Sequence, residues 1–429
     1  MLEHFTDQLA NGVRVVTVPM PHLHTAELVC YFAVGGRCEA PEQAGISHFL
    51  EHMIFRGTAE YATSTDLERA FERIGGAVNA STDSETTCFH SRIHPDHLDE
   101  GVALFASMLR RPRFDHIDTE RRIIIEEARE DYNEDGAQIN PDNLMVGLLW
   151  PEHPLGKPLA GTPEILESID LATLKDYYSV WYQPQNLLVS ACGAVTREQV
   201  LQAVEREFGD WVGSELPSII PAPLVKTAGV ESLWVEDSDS QVTLQLAFPL
   251  PGRSDERILA VRVLRRILSW GGGARLSLRL REELGLTYAV EANCALMGDT
   301  GYLAIDLSVA PENLTVAVGE VLSVLAELRD KSLPADELVG VIKSYLFDLD
   351  FSRDQTEAMA VRYGWGTQAL YLRTLEQDCR DLQTLTPEIV QQVAREILRT
   401  EALKLVIVGP WTEDDRQAVE HLLQNSPLN

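Results

Sequence analysis

The two halves of this 429-residue chain end in the same pattern, and this repetition constrains the fold more than any other feature. An apolar segment leads into Gly-x-x-Thr and then an amphipathic helix with an acidic start, in NLLVSACGAVTREQVLQAVEREF (186–208) and again in ALKLVIVGPWTEDDRQAVEHLL (402–423). Such a repeat in halves of similar length indicates an internal duplication of about 200 residues. The chain is also too long for one ordinary core, so we predict two similar domains.

A proline-containing stretch, VGSELPSIIPAPLVKTAGVES, predicts a linker at 212–232. The domains are therefore predicted at 1–211 and 233–429. Alternating apolar segments such as VRVVTVP (13–19) and TTCFHSRI (86–93) predict strands, and STDLERAFERIGG (64–76) predicts a capped helix.

The formal net charge of -30 argues against nucleic acid or an anionic membrane as a partner. It fits either simple solubility or a preference for basic peptides or cations. The start of the chain lacks the pattern of a signal or transit peptide, and no apolar run has the length of a membrane span. The six cysteines are scattered without a C-x-x-C pair, which indicates a reducing compartment. We therefore expect a cytoplasmic protein.

The segment GISHFLEHMIFRGT (45–58) places His48, Glu51 and His52 within about one helical turn. On a helix over 45–56, ended by Gly57, an apolar face lies opposite these three residues. Histidines at i and i+4 can direct ring nitrogens at one zinc ion, and the glutamate can take a proton from a water molecule held there. The alternative is an ordinary solvated helix that carries two histidines.

A third metal ligand is predicted in TERRIIIEEARE (119–130), where Glu120 and Glu127 share a helix face. The isoleucines at 123–125 indicate a buried helix, and a buried carboxylate needs a partner such as a metal. The alternative is that Glu126, Glu127 and Glu130 are solvated acids on an exposed face.

These segments together resemble the pitrilysin family of zinc metallopeptidases, which includes insulin-degrading enzyme and the mitochondrial processing peptidase. The resemblance runs essentially from end to end. It implies one zinc ion per chain, bound by His48, His52 and Glu127, with Glu51 as the general base. The earlier glutamate, Glu120, would support the site.

The resemblance extends to two substrate-binding segments. GGAVNASTDSETTCFHSRI (75–93) is similar to a family strand that holds the substrate backbone, and it places Asn79 and Ala80 at the contact, although Asn79 alone could be a turn residue. RLREELGLTYAV (279–290) is similar to a segment whose arginine and tyrosine bind the substrate carbonyl from the other half. These residues map to Arg281 and Tyr288, which alone could equally be structural.

The family fold implies an α+β protein of two similar domains that form a clamshell. Each domain would be a mostly antiparallel sheet with helices packed mainly on one face. The implied activity is zinc-dependent endopeptidase action on flexible, unstructured peptides in a closed chamber. A homodimer is the simpler expectation, and a heterodimer with a related subunit is the other. The competing hypotheses are a non-catalytic partner subunit and a peptide-binding scaffold.

Overall fold

A computed structural model describes residues 2–225, 227 and 229–428 of the chain. The chain divides into two compact units. The first contains residues 1–129, 157–220 and 348–378, and the second contains 130–156, 221–347 and 379–429.

A mixed, mostly antiparallel sheet forms the centre of each unit. The strands are β1 (Phe5–Gln8), β2 (Arg14–Pro19), β3 (Ala26–Phe32), β4 (Val78–Thr82), β5 (Thr87–Ile93) and β6 (Leu187–Gly193) in the first unit, and β7 (Glu231–Glu236), β8 (Val242–Pro251), β9 (Val290–Leu296), β10 (Thr300–Val309) and β11 (Lys404–Gly409) in the second. The first sheet has the order β1-β2-β6-β3-β5-β4, and the second has β7-β11-β8-β10-β9. These sheets confirm the predicted α+β class.

Helices connect the strands in both units. They are α1 (Ile46–Ile54), α2 (Ser64–Ile74), α3 (Leu98–Arg110), α4 (Ile117–Arg129), α5 (Pro141–Leu149), α6 (Pro163–Ser168), α7 (Leu171–Trp181), α8 (Arg197–Phe208), α9 (Ile258–Ser269), α10 (Leu314–Asp330), α11 (Ala335–Ser352), α12 (Thr356–Met359), α13 (Gly366–Gln368), α14 (Leu375–Leu382), α15 (Pro387–Ile397) and α16 (Glu413–Gln424). Two further segments, Ser277–Glu283 and Ala360–Trp365, are π-helical. No helix in the described ranges combines the length and apolar content needed to cross a membrane.

The repeated chain ends occupy equivalent places in the two sheets. Strand β6 runs parallel to β2 and antiparallel to β3, and β11 runs parallel to β7 and antiparallel to β8. Strands β6 and β11 end at Gly193 and Gly409, which have φ of 141° and 139°, and a Cβ on either would lie within 2.6 Å of a backbone oxygen. Thr196 and Thr412 then cap the following helices with capping boxes. Sequence and topology therefore repeat together.

Each unit contains a segment that the chain supplies from outside the predicted domain range. In the first unit, α1, α2, α3 and α8 pack on one face of the sheet, and residues 356–368 cover the other face. In the second unit, α5 packs on β8 and β11. Residues 130–156 lie in the second unit although the predicted range 1–211 contains them, and residues 348–378 lie in the first unit although the predicted range 233–429 contains them. We call these two stretches the exchanged segments. The described part of 212–230 forms no helix or strand.

Candidate metal centre and active site

Helix α1 carries the motif and is fully buried on its apolar side. Phe49, Leu50, Met53 and Ile54 have no exposed surface, as the predicted helix face requires. The helix ends at Ile54, and Gly57 follows with a φ of 114°. The motif residues His48, Glu51 and His52 are therefore held on a helix that is anchored by its back.

The start of α1 is anchored by a carboxylate from outside the helix. The buried Glu39 accepts hydrogen bonds from the backbone N–H groups of Gly45 (2.7 Å) and Ser47 (2.8 Å). Burial raises the pKa of Glu39 to about 7, although these hydrogen bonds oppose the rise. Glu39 thus satisfies two donors that an isolated helix N-terminus leaves unpaired.

The two histidines converge with a carboxylate from α4. The His48 and His52 ring centroids lie 4.6 Å apart with the planes at 77°. Glu127 Oε1 is 3.6 Å from His48 Nε2, and Glu127 Oε2 is 3.8 Å from His52 Nε2. One ligand atom from each of the three residues lies within 4.8 Å of the others. The structure thus brings the three predicted ligands together.

These donors fit a zinc ion. Two histidines and one glutamate are a donor set of catalytic zinc sites, and tetrahedral ligands with bonds of about 2.0–2.1 Å lie about 3.3 Å apart. The observed separations of 3.6 and 3.8 Å, which run to different oxygens of Glu127, are a few tenths of an ångström longer than that value and too long for direct hydrogen bonds. Burial, with a contribution from His52, lowers the pKa of His48 to about 4. His48 is therefore neutral near pH 7, the state that a metal ligand requires.

Glu120 interacts with the ring nitrogen of His52 that does not face Glu127. The buried Glu120 carboxylate lies 2.9 Å from His52 Nδ1, and it also forms an ion pair with Arg56. Because Nδ1 is occupied, Nε2 of His52 is left for a metal. This carboxylate–histidine arrangement fixes the tautomer and orientation of a ligating imidazole. Glu120 was predicted from the sequence to support the site, whereas no role was predicted for Arg56.

Glu51 lies beside the ligands with one oxygen already bonded. The hydroxyl of Thr82, at the end of β4, donates to Glu51 Oε2 at 2.5 Å. Burial raises the pKa of Glu51, and the Thr82 hydrogen bond and His52 oppose this rise. The sequence contained Thr82 in the motif NAST, but nothing in the sequence alone placed it beside Glu51.

Helix α4 is buried on one side only. Glu120, Ile124, Ile125 and Ala128 face the protein, whereas Ile123 is 46% exposed. The predicted buried helix is therefore buried on one face, and Ile123 lies off that face because three consecutive residues cannot share one face of a helix. Glu126 is exposed and pairs with Arg129 at 2.5 Å.

The strand β4 forms an edge of the first sheet. Asn79 and Ala80 pair with His90 and Phe89 of β5, so Asn79 is a strand residue and the alternative of a turn was wrong. Asn79 is exposed, whereas Ala80 packs against the core. Among the described residues, no strand pairs with the outer edge of β4, which leaves its backbone groups available to an added strand.

Arg281 and Tyr288 are neighbours in the second unit. Arg281 lies in the π-helical segment, and Tyr288 lies just before β9. The Arg281 guanidinium is 5.3 Å from the Tyr288 ring centroid. Gly285, with a φ of 61°, turns the chain between them. Tyr288 is 86% exposed, so its hydroxyl is open to a ligand.

Comparisons with known proteins match both halves of the chain. Residues 14–163 match the family described as "Insulinase (Peptidase family M16)", and residues 168–345 match "Peptidase M16 inactive domain". An "Uncharacterized zinc protease" of Rickettsia felis is 30% identical over 339 residues, which cover 77% of this chain and 80% of that protein. The "Uncharacterized zinc protease YmxG" of Bacillus subtilis is 29% identical over 413 residues, covering 96% and 98% of the two chains.

The fold is also that of a solved protease. A crystal structure described as a protease from Helicobacter pylori is similar with a TM-score of 0.88 and 21% identity, covering 96% of this chain and 100% of that one.

Proposed function

The chain belongs to the insulinase family of peptidases, peptidase family M16, and from this premise we propose that it is a zinc-dependent endopeptidase. The observation that carries the proposal is the convergence of His48, His52 and Glu127 beside the buried carboxylate of Glu51. An ordinary solvated helix is not expected to have its two histidines converge with a carboxylate from another helix, α4.

The proposed chemistry divides between the metal and the side chains. Zinc held by His48, His52 and Glu127 would supply Lewis acidity. Glu51 accepts the proton of the attacking water and later donates it to the leaving amine. Arg281 and Tyr288 are proposed to donate hydrogen bonds to the substrate carbonyl as it becomes an oxyanion. Glu120 contributes indirectly by orienting His52.

The proposed substrates are flexible, unstructured peptides. An extended peptide can add to the outer edge of β4 through backbone hydrogen bonds, with Asn79 and Ala80 at the contact. A folded protein does not offer a free extended segment of this kind. A natively folded protein should therefore be cleaved much more slowly than the same protein unfolded.

The deciding experiment combines metal analysis with peptide digestion. The purified chain should contain one zinc ion, cleave an unstructured peptide, lose that activity in a chelator and regain it when zinc is restored. His52→Ala should lose both zinc and cleavage, while Glu126→Gln, an exposed acid outside the ligand group, should keep both. Full cleavage by the metal-free chain would contradict the proposal.

A non-catalytic partner subunit or peptide-binding scaffold is the second candidate. The match of 168–345 to a domain described as inactive and the absence of an H-x-x-E-H motif from 233–429 favour it. A zinc-loaded chain that binds an unstructured peptide without cleaving it would identify this function. Retention of Glu51 together with the three ligand residues supports the enzyme instead.

The proposed assembly is a homodimer, since one chain carries both the metal ligands and the Arg281–Tyr288 pair. A heterodimer with a related subunit is the alternative, and sedimentation analysis of the purified chain distinguishes the two. The proposed location is the cytoplasm, a compartment that suits buried thiols such as Cys30 and Cys192.

A further inference from the structure

We propose that Thr82 is a positioning residue for Glu51, an inference that rests on the proposed function. Its hydroxyl holds Glu51 Oε2 and thereby leaves Oε1 for proton transfer. The donor and acceptor are 2.5 Å apart, the distance of a strong hydrogen bond to an ionised oxygen. A glutamate has several rotatable bonds, so without a fixed partner its carboxylate would sample other orientations.

Among the described residues, the Thr82 hydroxyl has a much nearer acceptor in Glu51 Oε2, at 2.5 Å, than in Thr87 Oγ1, at 3.4 Å. The neighbouring hydroxyl of Thr87 lies 3.4 Å from Thr82 Oγ1, but it donates to the carbonyl of Val34 at 2.9 Å. Thr87 therefore has no proton to give to Thr82 or to Glu51. The Thr82 hydroxyl is the donor to Glu51, and a valine at position 82 would keep its shape and remove only this bond.

Hydrogen bonds stabilise the turn between β4 and β5, which follows Thr82 directly. The Asp83 side chain accepts from the backbone N–H groups of Glu85 and Thr86 at 2.6 and 2.7 Å. The buried Arg37 then bonds Glu85 at 2.6 Å, and the N–H of Gly36 bonds the carbonyl of Asp83 at 3.2 Å. The donor thus sits at the start of a rigid turn, as a positioning role requires.

The strand that carries Thr82 is the strand proposed to bind the peptide. Val78, Ala80 and Thr82 alternate with the exposed Asn79 and Ser81, so Thr82 faces the side of the sheet that packs on α1. A peptide added to this edge would meet the backbone of β4 while the side chain of Thr82 stays on Glu51. Binding of the substrate backbone and orientation of the Glu51 carboxylate therefore both depend on β4.

The test compares Thr82→Val with Thr82→Ser in the full-length, zinc-loaded chain. Thr82→Val should keep zinc content, melting temperature and KM close to parental values and lower kcat roughly 10- to 100-fold, because a small misplacement of a reacting group has about this effect. Thr82→Ser should restore kcat to within a few-fold. The matched control is Thr17→Val on β2, whose buried hydroxyl has no hydrogen-bond partner among the described residues.

Several outcomes would overturn the inference. They are parental kcat in Thr82→Val, a loss confined to KM, a kcat that falls only as the melting temperature falls, and failure of serine to restore the rate. An unchanged Glu51 side chain in a crystal structure of zinc-loaded Thr82→Val would also overturn it. In these cases the parent still cleaves, so the proposed function stands. If the zinc-loaded parent cleaves no unstructured peptide, both the proposed function and the positioning role of Thr82 are contradicted.

Discussion

At the scale of single residues, the acids of the proposed metal site differ in their surroundings. Glu51 and Glu120 are buried and each has a defined partner, Thr82 and His52 respectively. Glu127 is about half exposed and faces both histidines. These surroundings give each carboxylate a different expected response to the loss of its charge.

Replacing Glu51 with glutamine should separate metal binding from catalysis. The variant should bind zinc like the parent, because Glu51 is not a ligand in this arrangement. Its kcat should fall by ~10²–10⁴-fold, the usual contribution of a general base. Metal analysis and peptide kinetics on the same sample measure both effects. Activity within a few-fold of the parent would assign Glu51 another role.

Replacing Glu120 with glutamine should weaken zinc binding without abolishing it. The amide would hold His52 less firmly and carry no charge, and losing such a partner typically lowers metal affinity about 10- to 100-fold. Competition with a chelator of known affinity measures the change. Glu126→Gln is the control at an exposed position of the same helix, and equal affinities in the two variants would contradict the role of Glu120.

At the scale of elements, α1 depends on a capping residue that titrates. The pKa of Glu39 is raised by burial from 4.5 to about 7. Because the pKa is higher in the folded state, the stabilising contribution of protonated Glu39 is complete below about pH 4.5 and is lost as the pH rises through about 7. Glu39 therefore contributes to the free energy of unfolding of the first unit at low pH, and this contribution decreases toward neutral pH.

Replacing Glu39 with glutamine should remove this pH dependence. The difference in free energy of unfolding between parent and variant should change by about 3 kcal/mol between pH 4.5 and 8, in the direction of a less stable parent at high pH. Urea denaturation in a chelator measures it without interference from metal binding. A difference that stays constant over this range would show that Glu39 does not titrate there.

At the scale of the whole molecule, the exchanged segment 348–378 completes the first unit. The carbonyl of Ala360 accepts from the hydroxyl of Tyr31 at 3.3 Å, and Gln368 donates to the carbonyl of Asn186 at 3.0 Å. Tyr363 is fully buried in this unit. Residues 1–211 alone would lack this layer and expose one face of the sheet.

A fragment of residues 1–211 should therefore fold poorly. We expect aggregation or a broad thermal transition, and we expect co-expression with 212–429 to restore a soluble complex, because the second fragment supplies 348–378. Thermal melts and size-exclusion chromatography measure both. A monomeric 1–211 fragment with a sharp transition would show that the exchanged layer is dispensable.

The second unit enters the proposed chemistry through Arg281 and Tyr288. Alanine at either position should leave zinc content unchanged, since neither residue is a ligand in this arrangement. Loss of one oxyanion donor should lower kcat on the order of 10²–10³-fold. Thermal melts beside peptide kinetics separate this from simple unfolding. A Tyr288→Phe chain that melts normally and cleaves at the parental rate would remove Tyr288 from the site.

The sequence by itself determined the features that lie within one helix or strand, because these follow from local periodicity. It also determined the features that repeat between the two halves. The apolar back of α1 and the i, i+4 placement of His48 and His52 follow from 3.6 residues per turn. The repeated strand–Gly-x-x-Thr–helix ends likewise predicted two similar halves, whereas the α+β class was implied by the family resemblance. Helical periodicity left both Glu120 and Glu127 as candidates for the third ligand, and the resemblance of their segment to a known family predicted Glu127.

Only the tertiary structure decided which distant residues meet. Thr82 lies 31 positions from Glu51, and Glu120 lies 68 positions from His52, yet both pairs are hydrogen-bonded. The cap of α1 by Glu39 and the exchange of 348–378 were likewise absent from any local pattern. The physical reason is that such contacts depend on how all the intervening strands and helices pack, whereas helical and strand periodicity depends only on neighbouring residues.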